Sequence, residues 1–415
     1  MNIVTVIFVA ALAAETATRL WLASRQISAV SAHRERVPEA FQGQISPAEQ
    51  QKASDYTLAR AHLGRWAAVC EALVKLAFTV GGGLAAIDVI LPPGTAYPIM
   101  HGCLLIVSVF LLLQLVGLPF TLLRTFRIEA RFGFNRMTPR IFAVDLLKQW
   151  LLGLVLGAPL AAATLWLMAR MGLGWWIWAW GVFVGVTLVM TWAAPRFIAP
   201  LFNRFTAITD AALRERVEAL MQRCGFTAAG GVFVMDGSRR SAHGNAYFTG
   251  IGRNKRIVFF DTLLERIEPN EIEAVLAHEL GHFRLHHVRQ RLLTSLASTL
   301  AGFALLGWLA REPAFYSAFG VAASPAMALL LFVLTVPAIL FFATPLESWW
   351  SRRQEFAADA FATAHADAGD LERALVKLYR DNATALTPDR VYSAFYDSHP
   401  PAVQRIARLQ GSRAA

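Results

Sequence analysis

Charge is scarce in this chain: only 16% of its 415 residues are charged while 56% are hydrophobic, and the mean hydropathy is +0.44. That shortage excludes an ordinary soluble protein of this length and points to a lipid bilayer as partner. Cysteine is nearly absent as well, since Cys70, Cys103 and Cys224 stand apart without C-x-x-C spacing. Neither a disulfide framework nor a cysteine-held zinc follows, and the three read as packing residues. The net charge of +10 finds no basic stripe interleaved with aromatics. No nucleic acid is therefore expected, and the arginines, gathered in loops between apolar runs, report topology. The apolar run 2–24 lacks the Lys or Arg of a signal-peptide n-region and carries Glu15 and Arg19. It is expected to be a retained helix.

What the chain does hold is a series of apolar runs, at 2–24, 66–91, 99–123, 144–169, 175–195, 289–310 and 325–349. Each is near the roughly 20 residues a bilayer requires, which predicts a polytopic, mainly α protein of seven spans. The connection 92–98 is uncharged, whereas 124–148 carries Arg124, Arg127, Arg131, Arg136, Arg140 and Lys148. The positive-inside rule then places 25–65, 124–143, 196–288 and everything after 350 on the cytosolic face. Within the runs, Glu71 and Lys75 at i, i+4 read as a helix-face pair or as cavity lining, and Asp88 and Lys148 as residues snorkelling from span ends. Ser46-Pro47-Ala48-Glu49 marks a helix start.

Between the fifth and sixth runs, 231–236, 245–250 and 256–261 read as short strands, the last two joined by a turn at Gly252-Arg253-Asn254-Lys255. A helix follows, with Pro269-Asn270 at its start and a capping box expected between Asn270 and Glu273. Its stripe is Ile272, Val275, Leu276, Leu280 and Phe283, and it carries Ala277-His278-Glu279-Leu280-Gly281-His282. At 100° per residue, His278 and His282 lie about 40° apart on one helix surface, so two imidazoles can meet on one ion with Glu279 beside them. This is the HExxH arrangement of a zinc hydrolase.

A catalytic zinc takes three protein ligands and leaves one position open. Candidates for the third are His286, His287, His243, His365, His399 and Glu355. His286 and His287 lie too far along the helix and read as a solvated end. Glu355 fits best: with Asp359 at i, i+4 it offers a ligand and a carboxylate able to orient a ligand imidazole. A salt bridge from Arg352 to Glu355, and capping or pairing by Asp359, are the structural alternatives.

Several blocks carry a resemblance in sequence order: Asn245-Ala246-Tyr247-Phe248-Thr249-Gly250, Lys255-Arg256-Ile257-Val258, Phe260-Asp261-Thr262-Leu263, His278 to His282, Arg352 to Asp359, and Ser398-His399-Pro400-Pro401. Over most of its length the chain resembles the type 1 CAAX prenyl proteases, integral-membrane zinc metalloproteases. The resemblance implies seven helices enclosing a chamber, with a small α+β metalloprotease domain. It implies that His278, His282 and Glu355 bind one zinc ion and that Glu279 is the general base. It further implies that Asp359 supports a ligand histidine, that Asn245 on an edge strand holds the substrate backbone, and that His399 and Arg405 contact substrate or oxyanion. Without it, Asn245 reads as a turn residue, His399 as a residue leading into a helix begun at Pro401, and Arg405 as a solvated arginine.

The expected organisation is 1–195 for five spans and their loops, 196–288 for a soluble catalytic segment, 289–349 for two further spans and 350–415 for a second catalytic segment bearing the third ligand. The expected activity is zinc-dependent hydrolysis of peptide bonds, near the C-terminus of prenylated CAAX-type substrates or in damaged or stalled membrane proteins. A channel or transporter with a structural zinc site is the alternative from another class. The end Gly411-Ser412-Arg413-Ala414-Ala415 has no lysine-based or KDEL-like retrieval signal, and the Ala- and Arg-rich composition favours a bacterial inner membrane over the endoplasmic reticulum.

Overall fold

The protein's structure, a computed structural model, describes residues 2–226, 231–249 and 256–414. The expected turn at 252–255 lies outside them.

The N-terminal half is a stack of long helices. Asn2 caps α1 (Ile3–Ala32) by accepting from the Val4 N–H. The predicted start at Ser46 is present: Ser46 and Glu49 exchange side-chain and backbone bonds in a full capping box, and Pro47 opens α2 (Pro47–Phe78). The span expected at 66–91 is not one helix. Its chain leaves α2 at Thr79, passes through Gly82 at φ +76°, where a Cβ would be strained, and resumes as α3 (Gly83–Ile90), bent by 57°. Then come α4 (Pro98–Leu122), a π-helical stretch at Leu123–Glu129, α5 (Pro139–Arg170), α6 (Trp175–Ala193), a second π stretch at Ala194–Ile198 and α7 (Ala199–Phe202). Among the described residues six helical stretches are long and apolar enough to cross a membrane, and the bent α2/α3 pair makes a seventh when counted as one span. Their outward apolar side chains, such as Val155 and Trp178, are more than half exposed, which suits a lipid surface.

The charges inside the spans are paired. Arg19 lies 2.9 Å from Glu71 and also contacts Glu15, while Lys75 lies 2.8 Å from Glu71 and 3.6 Å from Glu15. Two acids and two bases therefore neutralise one another across α1 and α2. Asp88 and Lys148, expected to snorkel from span ends, have specific partners: Asp88 meets His101 Nε2 at 2.7 Å, and Lys148 donates to the Leu201 carbonyl at 2.6 Å.

The soluble segment is built on a four-stranded sheet of β1 (Phe205–Ala207), β2 (Val232–Met235), β3 (Ala246–Thr249) and β4 (Arg256–Phe260), in the order β1-β2-β4-β3. Only β2 and β4 run parallel, and β3 is an edge. The three-residue β1 is too short to carry an alternating pattern, and the sequence reading missed it. Helix α8 (Ala211–Arg223), the turn α9 (Asp261–Leu264) and α10 (Pro269–Arg284) cover the sheet. The cap of α10 differs from expectation. Pro269 occupies the first helical position, so the cap falls on Glu268, which shares a capping box with Glu271. Asn270 and Glu273 are already helical and instead accept from Arg216 and Arg223 of α8.

After α10 the chain recrosses as α11 (His287–Leu309), turns through α12 (Pro313–Ser317) and returns as α13 (Pro325–Leu340). The last expected span, 325–349, breaks at a 3₁₀ turn, Phe341–Ala343, and runs on as α14 (Thr344–His365). Finally α15 (Ala368–Asp381), α16 (Arg390–Tyr396) and α17 (Ala402–Ala414) pack back on the sheet segment. One apolar core thus joins Leu220, Phe259, Leu276 and Leu280 to Ala362, Leu375 and Ile406, across two intervening membrane crossings.

The loop Arg240–Ala242 is tied to the membrane half by a fork: Arg240 Nε and Nη2 donate to the buried Asp145 of α5 at 2.8 and 3.1 Å. Removing one partner leaves a sequestered charge, a loss of about 3 kcal/mol. Asp145→Ala should lower the midpoint of thermal unfolding in detergent by several degrees; an unchanged midpoint would show that the pair contributes nothing.

Candidate active site

Two helices make the site. On α10, His278 and His282 project from successive turns, their Nε2 atoms 3.3 Å apart. On α14, Glu355 meets both: Oε2 is 3.5 Å from His278 Nε2 and Oε1 is 3.3 Å from His282 Nε2. The three donor atoms all lie within 4.8 Å of one another. What allows this approach is Gly281, between the histidines. A Cβ there would stand 3.1 Å from Ala358 Cα and 3.2 Å from the Ala358 carbonyl oxygen. Backbone atoms cannot swing aside, so α14 packs against bare helix and brings Glu355 within reach.

A second layer fixes the imidazoles. Asp359 Oδ1 is 2.8 Å from His278 Nδ1, leaving Nε2 for an ion. Arg405 of α17 grips Asp359 with both fork atoms, Nε at 2.7 Å and Nη2 at 2.6 Å, while Nη1 lies 3.9 Å from Glu355 Oε2. Burial works against the Arg405 charge, but the Asp359 carboxylate outweighs it and holds the guanidinium above its ordinary pKa. Far from solvated, Arg405 is 5% exposed.

His282 has a different partner. His286 takes a left-handed conformation, φ 59°, which ends α10 and redirects the chain, and His287 at the head of α11 is buried with its Nδ1 3.0 Å from His282 Nδ1. The solvated helix end expected for both therefore holds for His286 alone. No helical periodicity could place His287, because the break at His286 does so.

Two of the other candidates are occupied elsewhere. His365 Nδ1 faces the Phe361 carbonyl at 2.9 Å and His243 Nδ1 faces Asn382 at 3.2 Å. Arg352 donates to the carbonyls of Ser393, Ala394 and Asp397, so it braces the loop before His399 and does not pair with Glu355. His399, 65% exposed, sets Nδ1 2.7 Å from Glu355 Oε2. Glu279 is half-buried and makes no side-chain hydrogen bond or ion pair among the described residues. Asn245 is exposed at the foot of edge strand β3. Asn245, His399 and Arg405 line one cavity of about 1080 Å³, whose far wall is formed by Arg19, Tyr56 and Arg60 of α1 and α2.

Two imidazole nitrogens and one carboxylate oxygen, with a second carboxylate behind, suit a borderline-soft divalent ion with an open coordination position. That is a hydrolytic donor set.

Residues 26–204 match the family described as CAAX prenyl protease N-terminal, five membrane helices, and residues 207–413 match peptidase family M48. A CAAX prenyl protease 1 homolog of Arabidopsis thaliana is 38% identical over 75% of this chain and 74% of its own length. The Saccharomyces cerevisiae CAAX prenyl protease 1 is 35% identical over 71% and 69%. The crystal structure of S. mikatae Ste24p superposes with a TM-score of 0.92 at 28% identity, covering 98% of this chain and 99% of that one. These likenesses support the protease expectation and give none to the channel or transporter alternative.

If Gly281 sets the helix spacing, Gly281→Ala should cost about 1–3 kcal/mol of stability by overpacking. It should also weaken metal retention on dialysis, read by elemental analysis; full retention together with an unshifted unfolding midpoint would refute the close-packing role.

Proposed function

The chain belongs to peptidase family M48, among the membrane CAAX prenyl proteases, and on that premise we propose that His278, His282 and Glu355 hold a zinc ion while Glu279 acts as general base. The protein is a multi-pass membrane metalloprotease, a hydrolase of peptide or protein substrates. The observation that carries the assignment is the convergence of three donor atoms from α10 and α14 within 4.8 Å.

When bound, zinc supplies Lewis acidity that lowers the pKa of a water toward about 7. Glu279, adjacent to His278 and without a side-chain partner among the described residues, takes a proton from the attacking water and returns it to the leaving amine. Asp359, gripped by Arg405, keeps the proton of His278 on Nδ1; His287 does the corresponding work at His282 Nδ1. His399, at the cavity edge beside Glu355, is assigned to the developing oxyanion. Arg405 has spent Nε and Nη2 on Asp359, so any contact with substrate falls to Nη1. An extended peptide adds to edge strand β3 beside Asn245 by main-chain pairing, which asks little of its sequence.

The cavity lined by His399, about 1080 Å³, lies at the upper end of the roughly 300–1,000 Å³ of small-ligand sites, which leaves room for more than a short peptide. Prenylated CAAX-type termini fit that description, and damaged or stalled membrane proteins remain the second substrate class. The arginines of 124–143 support a cytosolic face for the two catalytic segments, 196–288 and 350–415. A bacterial inner membrane rests on composition alone, and the relatives named above are eukaryotic.

Glu279→Gln should cut peptide hydrolysis by roughly 10²–10⁴-fold while binding one zinc per chain as before; retained cleavage would sink the mechanism. Glu355→Ala should lose the metal outright, and undiminished zinc would return the third ligand to the histidines. Mass spectrometry of fragments from matched prenylated and unprenylated reporter peptides decides the lipid requirement, with preference for the prenylated peptide expected and equal rates counting against it.

A further inference from the structure

Registration of a peptide on β3 depends on where Asn245 stands, and Asn245 does not hold itself. Its side chain turns back to accept from the Ala246 N–H at 2.8 Å. One flank is secured by the sheet, where the Asn245 carbonyl accepts from the Phe260 N–H at 3.0 Å and Thr262 Oγ1 donates to the His243 carbonyl at 2.9 Å. On the N-terminal flank, where Thr262 already holds the His243 carbonyl, both backbone groups of Gly244 are held by one further side chain. The Gly244 N–H donates to Asn382 Oδ1 at 3.1 Å, and Asn382 Nδ2 donates to the Gly244 carbonyl at 3.2 Å. A primary amide that satisfies both backbone groups of one residue does what a neighbouring strand would do, and only one orientation of the amide makes both bonds.

Asn382 is itself held at the catalytic helix. It closes α15, its N–H bonded to the Leu378 carbonyl at 3.0 Å, and α15 is fastened to α10 where Lys377 Nζ meets the buried Glu271 at 2.8 Å. The next residue, Ala383, is buried in a left-handed conformation, φ 46°, which side chains rarely adopt. That turn aims the amide at the loop. Asn382 Oδ1 also lies 3.2 Å from His243 Nδ1, and the His243 ring stacks on Phe134 with centroids 4.3 Å apart. Asn382, Gly244 and Asn245 share the wall of the cavity described above.

We propose that Asn382 is a positioning residue for peptide hydrolysis: its amide clamps the Gly244 backbone and so sets Asn245 and edge strand β3 at the spacing from α10 that an extended substrate needs. The inference rests on the edge-strand reading of substrate binding. It assigns no contact between Asn382 and the reacting atoms.

The test is a double-mutant cycle on peptide hydrolysis by the full-length zinc enzyme, with metal content measured alongside. Two neutral hydrogen bonds set the scale at about tenfold. Asn382→Ala should raise KM about tenfold, change kcat less than twofold and leave zinc content intact. Asn245→Ala should raise KM about tenfold in the wild-type background and less than twofold in the Asn382→Ala background, because the clamp and the contact it serves are one device. Asn382→Asp keeps an acceptor for the Gly244 N–H and should fall between, near threefold. If Asn245→Ala leaves KM unchanged, the edge-strand reading fails and takes the inference with it. If Asn245→Ala raises KM while Asn382→Ala does not, or the two effects multiply independently, the clamp is refuted and the reading stands. Should Asn382→Ala fail to accumulate folded, Asn382→Asp decides alone, an unchanged KM overturning the clamp.

Discussion

The contact between α10 and α14 is the constraint on which the rest depends. Glu355 reaches the two histidines where Gly281 offers no Cβ to the Ala358 backbone, and the same approach puts Asp359 behind His278. Around that line the protein spends its buried polar groups in an ordered way. Arg405 secures Asp359, Lys377 secures Glu271 at the start of the catalytic helix, and Arg352 secures the loop that presents His399. Each is a charge-assisted bond in a sequestered place, where it is stronger than at the surface and costly to leave half-made.

The membrane supplies the frame for this contact. Helices α13 and α14 form one nearly continuous rod, Pro325–His365, whose first part is long and apolar enough to cross a bilayer and whose second part carries Glu355. Packing against neighbouring helices sets the tilt of a spanning helix. Glu355 is therefore positioned by the packing of the whole rod. The balanced group of Glu15, Arg19, Glu71 and Lys75 joins α1 to α2 within the same frame; Glu71 and Lys75 pair as a helix-face couple and do not line the cavity, and of the four Arg19 alone does.

Much of this was legible from residue order, wherever the signal was local. The HExxH spacing, the i, i+4 pairing of Glu355 with Asp359, the Ser46 cap and the apolar runs each follow from helical geometry alone. What escaped depends on breaks or on contacts far apart in sequence. The span at 66–91 is broken where Gly81-Gly82-Gly83 permits a positive φ, a signal present in the sequence but outweighed by hydropathy. The cap of α10 slipped because Pro269 fixes the first helical position and moves the cap back to Glu268. His287 could be placed only once the left-handed turn at His286 was known. Asn382 closes a helix more than a hundred residues from Gly244, and nothing in the local pattern sets it apart.

The central claim is a single ion held by two imidazoles and one carboxylate, with a coordination position left for water. X-ray absorption at the zinc edge of the purified protein measures this directly. The expected first shell has two imidazole nitrogens at about 2.0–2.1 Å and oxygen donors at about 2.0–2.2 Å. A shell of three or four imidazoles, or one closed by four protein ligands, would contradict it.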